Sequence, residues 1–343
     1  GINQGSLSNR IKYLYGTDET ALVKSALEFI TAFNNLNFHN IILSIKSSNP
    51  ITTVLANRLL IKEMIKNDIN YPIHLGVTEA GDKIDATVKS LVGIGSLLMT
   101  GIGDTIRVSV TGNPVKEIPI AEKIIKAASP KKLMDKNYLL NLPLYKEDND
   151  FKNNFILETI DNKKNIDKYN KTTINVNELF DNYKRSNSNK LNDKIIIIKD
   201  KLKLTEQIIL SLLIIDKKIN GIITNKQNIY IVKKILQACG TKNFENTYIA
   251  CPTCSRTTFN VEKILKEIKI KTAQFSNLKI GVMGCIVNGL GEMGDVDYGY
   301  VGTKKGIVTI YQNNKIYKKN VPQNEAVNIL LELINNTEHG NKQ

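Results

Sequence analysis

The N-terminal part of the chain repeats a short apolar run followed by a helical pattern. The apolar runs recur about every 32 residues and are predicted to be buried parallel strands: Asn40–Ser44, Ile73–Val77 and Thr105–Val110. Helical periodicity is found near residues 18–36, 51–66 and 84–98. This alternation predicts successive βα units of a parallel barrel, with too few units to close a (β/α)8 barrel. We therefore predict an α/β chain whose residues 1–125 form part of a TIM-type barrel.

The composition changes in the middle of the chain. Between Lys131 and Lys194 the sequence is dominated by Lys, Asn and Asp, which bury little apolar area, so loop or disorder is expected there. Regular patterns then return, with strands at Ile195–Ile198 and Gly221–Thr224 and helices at Thr205–Ile215 and Ile229–Ala238. We predict that residues 126–246 are an inserted segment, partly of low complexity.

Residues 247–343 form a third region with a different pattern. A helix is predicted after a Cys-x-x-Cys turn, followed by a strand at Leu278–Gly284. Short antiparallel strands follow at Tyr298–Gly302, Ile307–Tyr311 and Lys315–Lys319, and a helix at Glu325–Asn335 closes the region. This order predicts a C-terminal α+β domain.

Three of the four cysteines lie in two short motifs of this third region. Cys251 and Cys254 can place two thiolates on one turn, and Cys285 opens a Gly-rich loop that ends in Glu292. Three sulfurs and a carboxylate suit an iron–sulfur cluster better than structural zinc, because a weaker oxygen ligand leaves one iron open to substrate. From the residues alone, the fourth ligand is either Glu292 or Cys239. This cysteine usage favours a reducing compartment over a disulfide framework.

The predicted barrel strands end in polar residues. Lys46, Glu79, Arg107 and Ser109 each lie at the carboxyl end of a strand, where barrel enzymes place their working groups. Together they would suit an anionic, phosphorylated substrate beside one acid group. The alternative is that Lys46 and Arg107 are salt-bridge partners of Glu79 at the barrel mouth.

The net charge of +14 suggests nucleic-acid binding, but its distribution does not. The basic residues are spread through Lys/Asn-rich stretches without interleaved aromatics, so we predict no nucleic-acid partner. No run of 18 or more apolar residues is present, so no membrane span is expected. His39 and His339 have no partner at metal-ligand spacing. His74 lies on a barrel strand and is predicted to be a hydrogen-bonded core histidine, with contact to the substrate as the alternative.

Several segments resemble one enzyme family. The segment CPTCSR followed by MGCIVNGLGEMGDVDYGYVG closely resembles the C-terminal cluster domain of the 4-hydroxy-3-methylbut-2-enyl diphosphate synthases. The segments GINQGSLS, FHNIILSIKSSNP, YPIHLGVTEAGD and GIGDTIRVSV are similar, in order, to the second half of that family's barrel. The resemblance covers residues 1–125 and 247–343.

The resemblance implies an oxidoreductase with a [4Fe-4S] cluster in the methylerythritol phosphate route to isoprenoids. The implied reaction is reductive ring opening and dehydration of 2-C-methyl-D-erythritol 2,4-cyclodiphosphate to 4-hydroxy-3-methylbut-2-enyl diphosphate. The implied cluster ligands are Cys251, Cys254, Cys285 and Glu292. The implied contacts to the diphosphate and hydroxyl groups of the substrate come from Asn3, Lys46, Arg107 and Ser109.

The catalytic residues are implied in the same way. Thr78 and Glu79 would lie near the reacting carbons, with Glu79 as the proton donor. The family's motif has an arginine just ahead of the glycine that matches Gly1, and the chain starts without it. We therefore expect a fragment that lacks the N-terminal half of the barrel, so that the substrate site of this chain alone is incomplete.

The resemblance also implies partners and a location. A long insert between barrel and cluster domain is typical of the plant and apicomplexan forms, and the Lys/Asn-rich composition resembles an apicomplexan parasite such as a malaria parasite. That implies the apicoplast, or plastid stroma, with an upstream targeting segment and a plant-type ferredoxin as electron donor. Bacterial members of the family work as dimers, so this chain is also a candidate for a homodimer. The sequence leaves open whether the cluster domain covers the barrel of its own chain or that of a partner subunit.

Two other functions remain open from the residues alone. A basic nucleic-acid-binding protein with a structural zinc ion would contain zinc, and its affinity for nucleic acid would fall steeply with salt. A redox-inactive, phosphate-binding barrel lyase would turn over without a reductant. Neither of these two functions explains the Asn-Gly-Leu-Gly-Glu loop.

Overall fold

The structure is a computed structural model, and it describes residues 1–128, 136–144, 149–159, 195–294 and 296–340. Within these ranges the chain forms three parts. The half barrel comprises residues 1–128, the insert runs from 136 to 246, and the C-terminal region begins at 247.

The strands of the half barrel are parallel and follow one another in chain order. They are β1 (Ile2–Asn3), β2 (Ile45–Lys46), β3 (His74–Gly76) and β4 (Thr105–Arg107). β1 pairs with β2, and β3 pairs with β4. Single bridges from Leu43 to Ile73 and from Ser47 to Val77 join the two pairs into one curved sheet. The α/β barrel architecture predicted from the repeat is therefore confirmed.

Helices connect these strands on the outside of the sheet. They are α1 (Asn9–Tyr15), α2 (Glu19–Asn35), α3 (Pro50–Lys66), α4 (Lys83–Ser90), α5 (Ser96–Met99) and α6 (Glu117–Ala128), with a π-helical turn at Leu91–Gly95 between α4 and α5. The side chains of Asp18, Asn49 and Asp82 accept hydrogen bonds from the first free amides of α2, α3 and α4. These caps fix where each helix begins after its strand.

The insert contributes helices and a second parallel sheet. Its elements are α7 (Lys136–Leu140), α8 (Asn149–Asn154), β5 (Ile156–Thr159), β6 (Ile195–Ile198), α9 (Leu204–Ile215), β7 (Gly221–Thr224) and α10 (Ile229–Ala238). The three strands pair in the order β5-β7-β6. The strands predicted at Ile195–Ile198 and Gly221–Thr224 are confirmed, as are the two helices.

The C-terminal region is an α+β unit around a five-stranded sheet. It contains β8 (Thr247–Ala250), α11 (Val261–Lys271), β9 (Lys279–Met283), α12 (Ile286–Met293), β10 (Tyr298–Lys304), β11 (Ile307–Gln312), β12 (Lys315–Pro322) and α13 (Gln323–Gly340). The strand order is β12-β11-β10-β9-β8, with β8, β9 and β10 parallel and the remaining pairs antiparallel. The predicted α+β class is confirmed.

One apolar core is shared by the half barrel and the insert. It includes Leu60 and Leu91 of the barrel together with Leu210 and Leu213 of α9. A Cβ added to Gly95 would lie 3.0 Å from the side chain of Ile208, so the insert helix approaches the barrel's π-helical turn closely. A separate core packs inside the C-terminal region. The insert is therefore built onto the barrel.

Two local predictions were wrong. Residues Asn40–Ser44 contribute only the bridge at Leu43, and the strand lies at Ile45–Lys46. The expected loop at 131–194 also contains α7, α8 and β5 within its described residues. Phe155 is buried there, and an occasional large apolar side chain is enough to anchor a short element against an existing core. Residues 129–135, 145–148 and 160–194 lie outside the described part.

Of the described helices, none combines the length and the apolar character needed to cross a bilayer.

Candidate iron–sulfur and substrate site

The inner face of the half-barrel sheet carries two cations. Lys46 ends β2 and Arg107 ends β4, and each lies beside Gly76 of β3. A Cβ added to Gly76 would lie 3.0 Å from Cε of Lys46, so the glycine leaves room for the lysine side chain to cross the sheet. Burial and the nearby Arg107 lower the pKa of Lys46 to about 8.

The other predicted anion-binding residues lie on the same strands. Asn3 is opposite Lys46 in the register of β1 and β2. Ser109 follows Arg107 by two residues and is buried, and its hydroxyl oxygen has no hydrogen-bond partner among the described residues. Buried hydroxyls are normally paired, so this oxygen is available to a ligand. His74 bonds to Thr105 through Nδ1 at 2.8 Å, as a hydrogen-bonded histidine of the sheet.

The loop after β3 joins the barrel to the C-terminal region. Ala80 forms a parallel bridge with Ala250 at the end of β8, and the amide of Ala250 donates to the carbonyl oxygen of Glu79 at 3.3 Å. The hydroxyl of Thr78 donates to Oε2 of Glu292 at 3.3 Å, across 214 residues of sequence. The two predicted catalytic residues thus face the loop that carries the predicted oxygen ligand.

Two buried carboxyl groups meet at this point. Burial, followed by the charge of Glu292, raises the pKa of Glu79 to about 7, while Arg107 acts in the opposite direction. Burial also raises the pKa of Glu292, opposed by the hydrogen bond from Thr78 and by Arg107. Glu79 has a φ of 46°, a conformation that costs energy for a side chain of this size. A protonated Glu79 near neutral pH is therefore available as an acid.

Glu79 leads to a prediction for the stability of the metal-free chain. Its folded pKa of about 7 exceeds the ordinary 4.5, so between these values the folded state holds a proton that the unfolded state has lost. Stability therefore falls as the pH rises from about 4.5 to about 7. We expect Glu79→Gln to remove this penalty and to gain on the order of 1–3 kcal/mol over the unaltered chain between pH 4.5 and pH 7.

Urea unfolding at a series of pH values measures this effect. Glu122→Gln, which changes an exposed carboxylate on α6, serves as the control and should show no such gain. An advantage of Glu79→Gln that is the same at pH 4.5 and pH 7 would contradict the raised pKa.

The three motif cysteines converge beside these carboxyls. Cys251 follows β8, and its Sγ accepts a hydrogen bond from the amide of Gly284 at 3.1 Å. Burial raises the pKa of Cys251 to about 11, with further increases from Glu79, Cys285 and Cys254. Cys285 lies just ahead of α12, where the Gly-rich motif begins. The three thiols therefore lie in the same region of the structure as the Glu79 carboxyl group of the barrel loop.

Cys254 is the most exposed of the three thiols. Burial acts to raise its pKa, but hydrogen bonds from the amide of Arg256 and the hydroxyl of Thr257 outweigh it and lower the pKa. Such donors to a sulfur are typical of the surroundings of metal-bound thiolates. Cys239 lies elsewhere, on the insert, with Sγ 4.0 Å from the carbonyl oxygen of Ser211.

The donor groups at this site suit a cluster better than a single metal ion. Within the described residues, no three Cys, His, Asp or Glu side chains stand close enough to hold one metal ion. A cluster has a different requirement, because each ligand binds its own iron. Three neighbouring thiols, an amide donor to one sulfur and a nearby carboxylate fit that requirement.

A close backbone contact seats the Gly-rich loop on the barrel. A Cβ added to Gly291 would lie 2.0 Å from the carbonyl oxygen of Gly5, and one added to Gly5 would lie 2.5 Å from the carbonyl carbon of Gly291. Only glycine at both positions permits this approach. Thr111 makes a second contact between the barrel and the C-terminal region, since its hydroxyl lies 3.4 Å from the carbonyl oxygen of Ala250. Sequence reasoning missed Gly5, Thr111 and this contact.

Comparisons with known proteins agree with this geometry. Residues 1–122 match the family model described as the GcpE TIM-barrel domain, and residues 247–336 match the GcpE protein C-terminal domain. The 4-hydroxy-3-methylbut-2-en-1-yl diphosphate synthase (flavodoxin) of Phocaeicola vulgatus is 31% identical over 446 residues, which cover 97% of this chain and 73% of that protein. The chain belongs to the GcpE family. The resemblance inferred from the motifs is thereby confirmed, together with the barrel and C-terminal fold.

Two further relatives place this GcpE chain within the family. The synthase named with flavodoxin from Porphyromonas gingivalis is 30% identical over 414 residues, covering 97% of the chain and 71% of that protein. The synthase named with ferredoxin from Prochlorococcus marinus is 33% identical over 334 residues, covering 97% of the chain but 54% of that protein. The GcpE chain thus spans about half the length of the ferredoxin-named relative. The two matched domains leave residues 123–246 between them.

Proposed function

We propose that this chain carries the cluster site and part of the substrate site of a 4-hydroxy-3-methylbut-2-enyl diphosphate synthase. The supporting observation is the hydrogen bond from Thr78 to Glu292, which joins the barrel's acid-bearing loop to the Gly-rich cluster motif. The reaction opens the ring of 2-C-methyl-D-erythritol 2,4-cyclodiphosphate, takes up two electrons and two protons, and releases one oxygen as water. Isoprenoid synthesis is the pathway that this reaction serves.

The proposed cofactor is a [4Fe-4S] cluster held by Cys251, Cys254, Cys285 and Glu292. Such a cluster, when bound, supplies electrons one at a time. The protein positions its thiols against the barrel mouth and keeps Glu292 buried, where Thr78 donates to the carboxylate. An oxygen ligand of this kind can be displaced more readily than a thiolate.

The barrel residues bind and protonate the substrate. Lys46 and Arg107 lie on the inner sheet face and would hold the diphosphate, which is also the leaving group when the ring opens. The unpaired hydroxyl of Ser109 and the amide of Asn3 would add hydrogen bonds. Glu79, protonated near neutral pH, would donate its proton to the departing hydroxyl so that it leaves as water.

The proposed electron donor is a ferredoxin. Curated relatives are named with ferredoxin or with flavodoxin, both of which are small electron carriers. We place the protein in the apicoplast or plastid stroma on the basis of its insert and its Lys/Asn-rich composition. The homodimer stays a prediction, because the contacts between the C-terminal region and the barrel described above need only one chain.

Substrate binding tests this proposal. We expect the chain to bind 2-C-methyl-D-erythritol 2,4-cyclodiphosphate in calorimetric titrations, and we expect Arg107→Gln to weaken binding about 10- to 100-fold by loss of a charged hydrogen bond. Arg10→Gln, which changes an exposed arginine on α1, is the matched control. No binding, or equal affinity for all three proteins, would contradict the proposal. Conversion of the cyclodiphosphate to a redox-neutral product without a reductant would instead favour the lyase.

A further inference from the structure

A buried group of charges joins the three parts of the chain. Asp85 of α4 accepts a hydrogen bond from Lys234 of α10 at 2.6 Å and from Lys269 of α11 at 2.6 Å, one on each carboxylate oxygen. Asp82 caps α4 and also accepts from Lys269 at 2.6 Å. We call Asp82, Asp85, Lys234 and Lys269 the Asp85 junction. A single carboxylate of the half barrel therefore contacts both the insert and the C-terminal region.

Three of the four side chains in the junction are largely shielded from water, whereas that of Asp82 is 42% exposed. The side chains of Asp85 and Lys234 are 11% and 10% exposed, and that of Lys269 is 23% exposed. Lys269 also lies over the ring of Tyr248 in β8, 4.9 Å from its centroid. Without the Asp85 carboxylate, Lys234 would keep only the exposed carboxylate of Glu245, and Lys269 would keep only that of Asp82. Each ammonium group would therefore lose its more deeply buried partner, which costs stability.

The junction lies beside the candidate site. Gly81, with a φ of 92°, connects the Thr78–Ala80 loop to the cap of α4, and a Cβ there would lie 3.6 Å from Cβ of Asp85. The same loop forms the bridge from Ala80 to Ala250, one residue ahead of Cys251. Lys89 of α4 adds a bond to the carbonyl oxygen of Tyr248 at 3.0 Å. Displacing α4 from β8 would therefore move Glu79 away from Cys251.

We propose that Asp85 is a positioning residue that holds the cluster-binding loops over the half barrel of the same chain, with the insert supplying one of its two cationic partners. The insert thereby takes part in docking, because Lys234 binds the same carboxylate as Lys269. This inference goes beyond the proposed reaction and depends on contacts within one chain. Its test needs neither cluster nor substrate, so its failure would be distinct from failure of the proposed function.

An exposed ion pair between the half barrel and the C-terminal region provides a matched control. Lys116 of the half barrel bonds to Glu262 of α11 at 3.3 Å, with side chains 47% and 56% exposed. Pairs of this exposure contribute little to stability. Lys116→Gln should therefore leave the docking unchanged, whereas Gly291→Ala, which inserts a Cβ against Gly5, should disturb it directly.

Hydrogen–deuterium exchange on the full chain measures docking. With Asp85→Asn we expect amides of residues 2–8 and 286–293 to exchange at least about tenfold faster, while β9 and β10 keep their protection. Gly291→Ala should affect the same segments, and Lys116→Gln neither. Unchanged exchange at residues 2–8 and 286–293 would overturn the proposal, as would an equal increase throughout β9 and β10.

Substitutions of Lys234 and Lys269 still test the proposal if the Asp85→Asn variant fails to fold. Lys234→Met and Lys269→Gln each remove one partner and leave the carboxylate in place. Lys234→Met is the more informative of the two variants. The substitution lies on the insert, whereas the exchange is measured at the contact between residues 2–8 and 286–293, so an effect there must be transmitted from the insert. Faster exchange there supports the proposal. An effect confined to α10 and its neighbours would overturn it.

Discussion

Cys285→Ser is expected to reduce the iron bound after anaerobic reconstitution from about four atoms per chain to below about one. Cys285 lies at the start of the Gly-rich motif and interacts electrostatically with Cys251. A serine hydroxyl is a poor ligand for iron, because it does not ionise at neutral pH as a coordinated thiol does. Iron and sulfide analysis, together with the visible absorption of the cluster, measures the loss.

Cys239→Ser is the matched control for this change. Burial raises the pKa of the Cys239 thiol, which lies against Ser211 in the insert, away from the motif cysteines. We expect its iron content to equal that of the unaltered chain. If Cys239→Ser lost iron and Cys285→Ser kept it, the ligand assignment would be wrong.

Asp216→Asn is expected to lower the free energy of unfolding by about 3–5 kcal/mol. Asp216 follows α9 of the insert and pairs with Arg58 of α3, and both side chains are fully buried. Arg58 also donates to the carbonyl oxygen of Pro143 at 3.1 Å. Without the carboxylate, the guanidinium group loses this buried ion pair while it stays in the core shared by the half barrel and the insert.

Urea unfolding followed by circular dichroism tests this prediction. Glu28→Gln breaks the exposed pair between Arg10 and Glu28 and should leave the midpoint unchanged. Equal midpoints for Asp216→Asn and the unaltered chain would show that the buried pair contributes nothing. A loss confined to the insert, with the five-stranded sheet still folded, would show that the chain unfolds in independent parts.

Local patterns made the regular elements predictable. The run Ile195–Ile198 and the segment Gly221–Thr224 are short, apolar and bounded by polar residues, and both form the expected strands. The motif cysteines could be singled out from the sequence because Cys-x-x-Cys and the Gly-rich loop are short-range features. Their role as cluster ligands stays a prediction. In the barrel, the boundaries of β2 shifted because a strand of two residues leaves little periodicity to detect.

Contacts between distant segments could not be predicted in the same way. The bond from Thr78 to Glu292 spans 214 residues, and Thr78 precedes a glutamate that looked equally able to pair with Lys46. The close approach of Gly5 to Gly291 leaves no periodic signal, because any turn can contain a glycine. Asp85 resembles an ordinary residue of a first helical turn, and its role emerges only when Lys234 and Lys269 are placed around it.

Anaerobic purification with iron, sulfide and zinc analysis, followed by electron paramagnetic resonance after dithionite reduction, tests the central claim most directly. The arrangement of Cys251, Cys254, Cys285 and Glu292 beside the barrel mouth predicts about four irons and four sulfides per chain. It also predicts a reduced-cluster signal that changes when the cyclodiphosphate is added. Stoichiometric zinc without sulfide would contradict the account and indicate a structural metal.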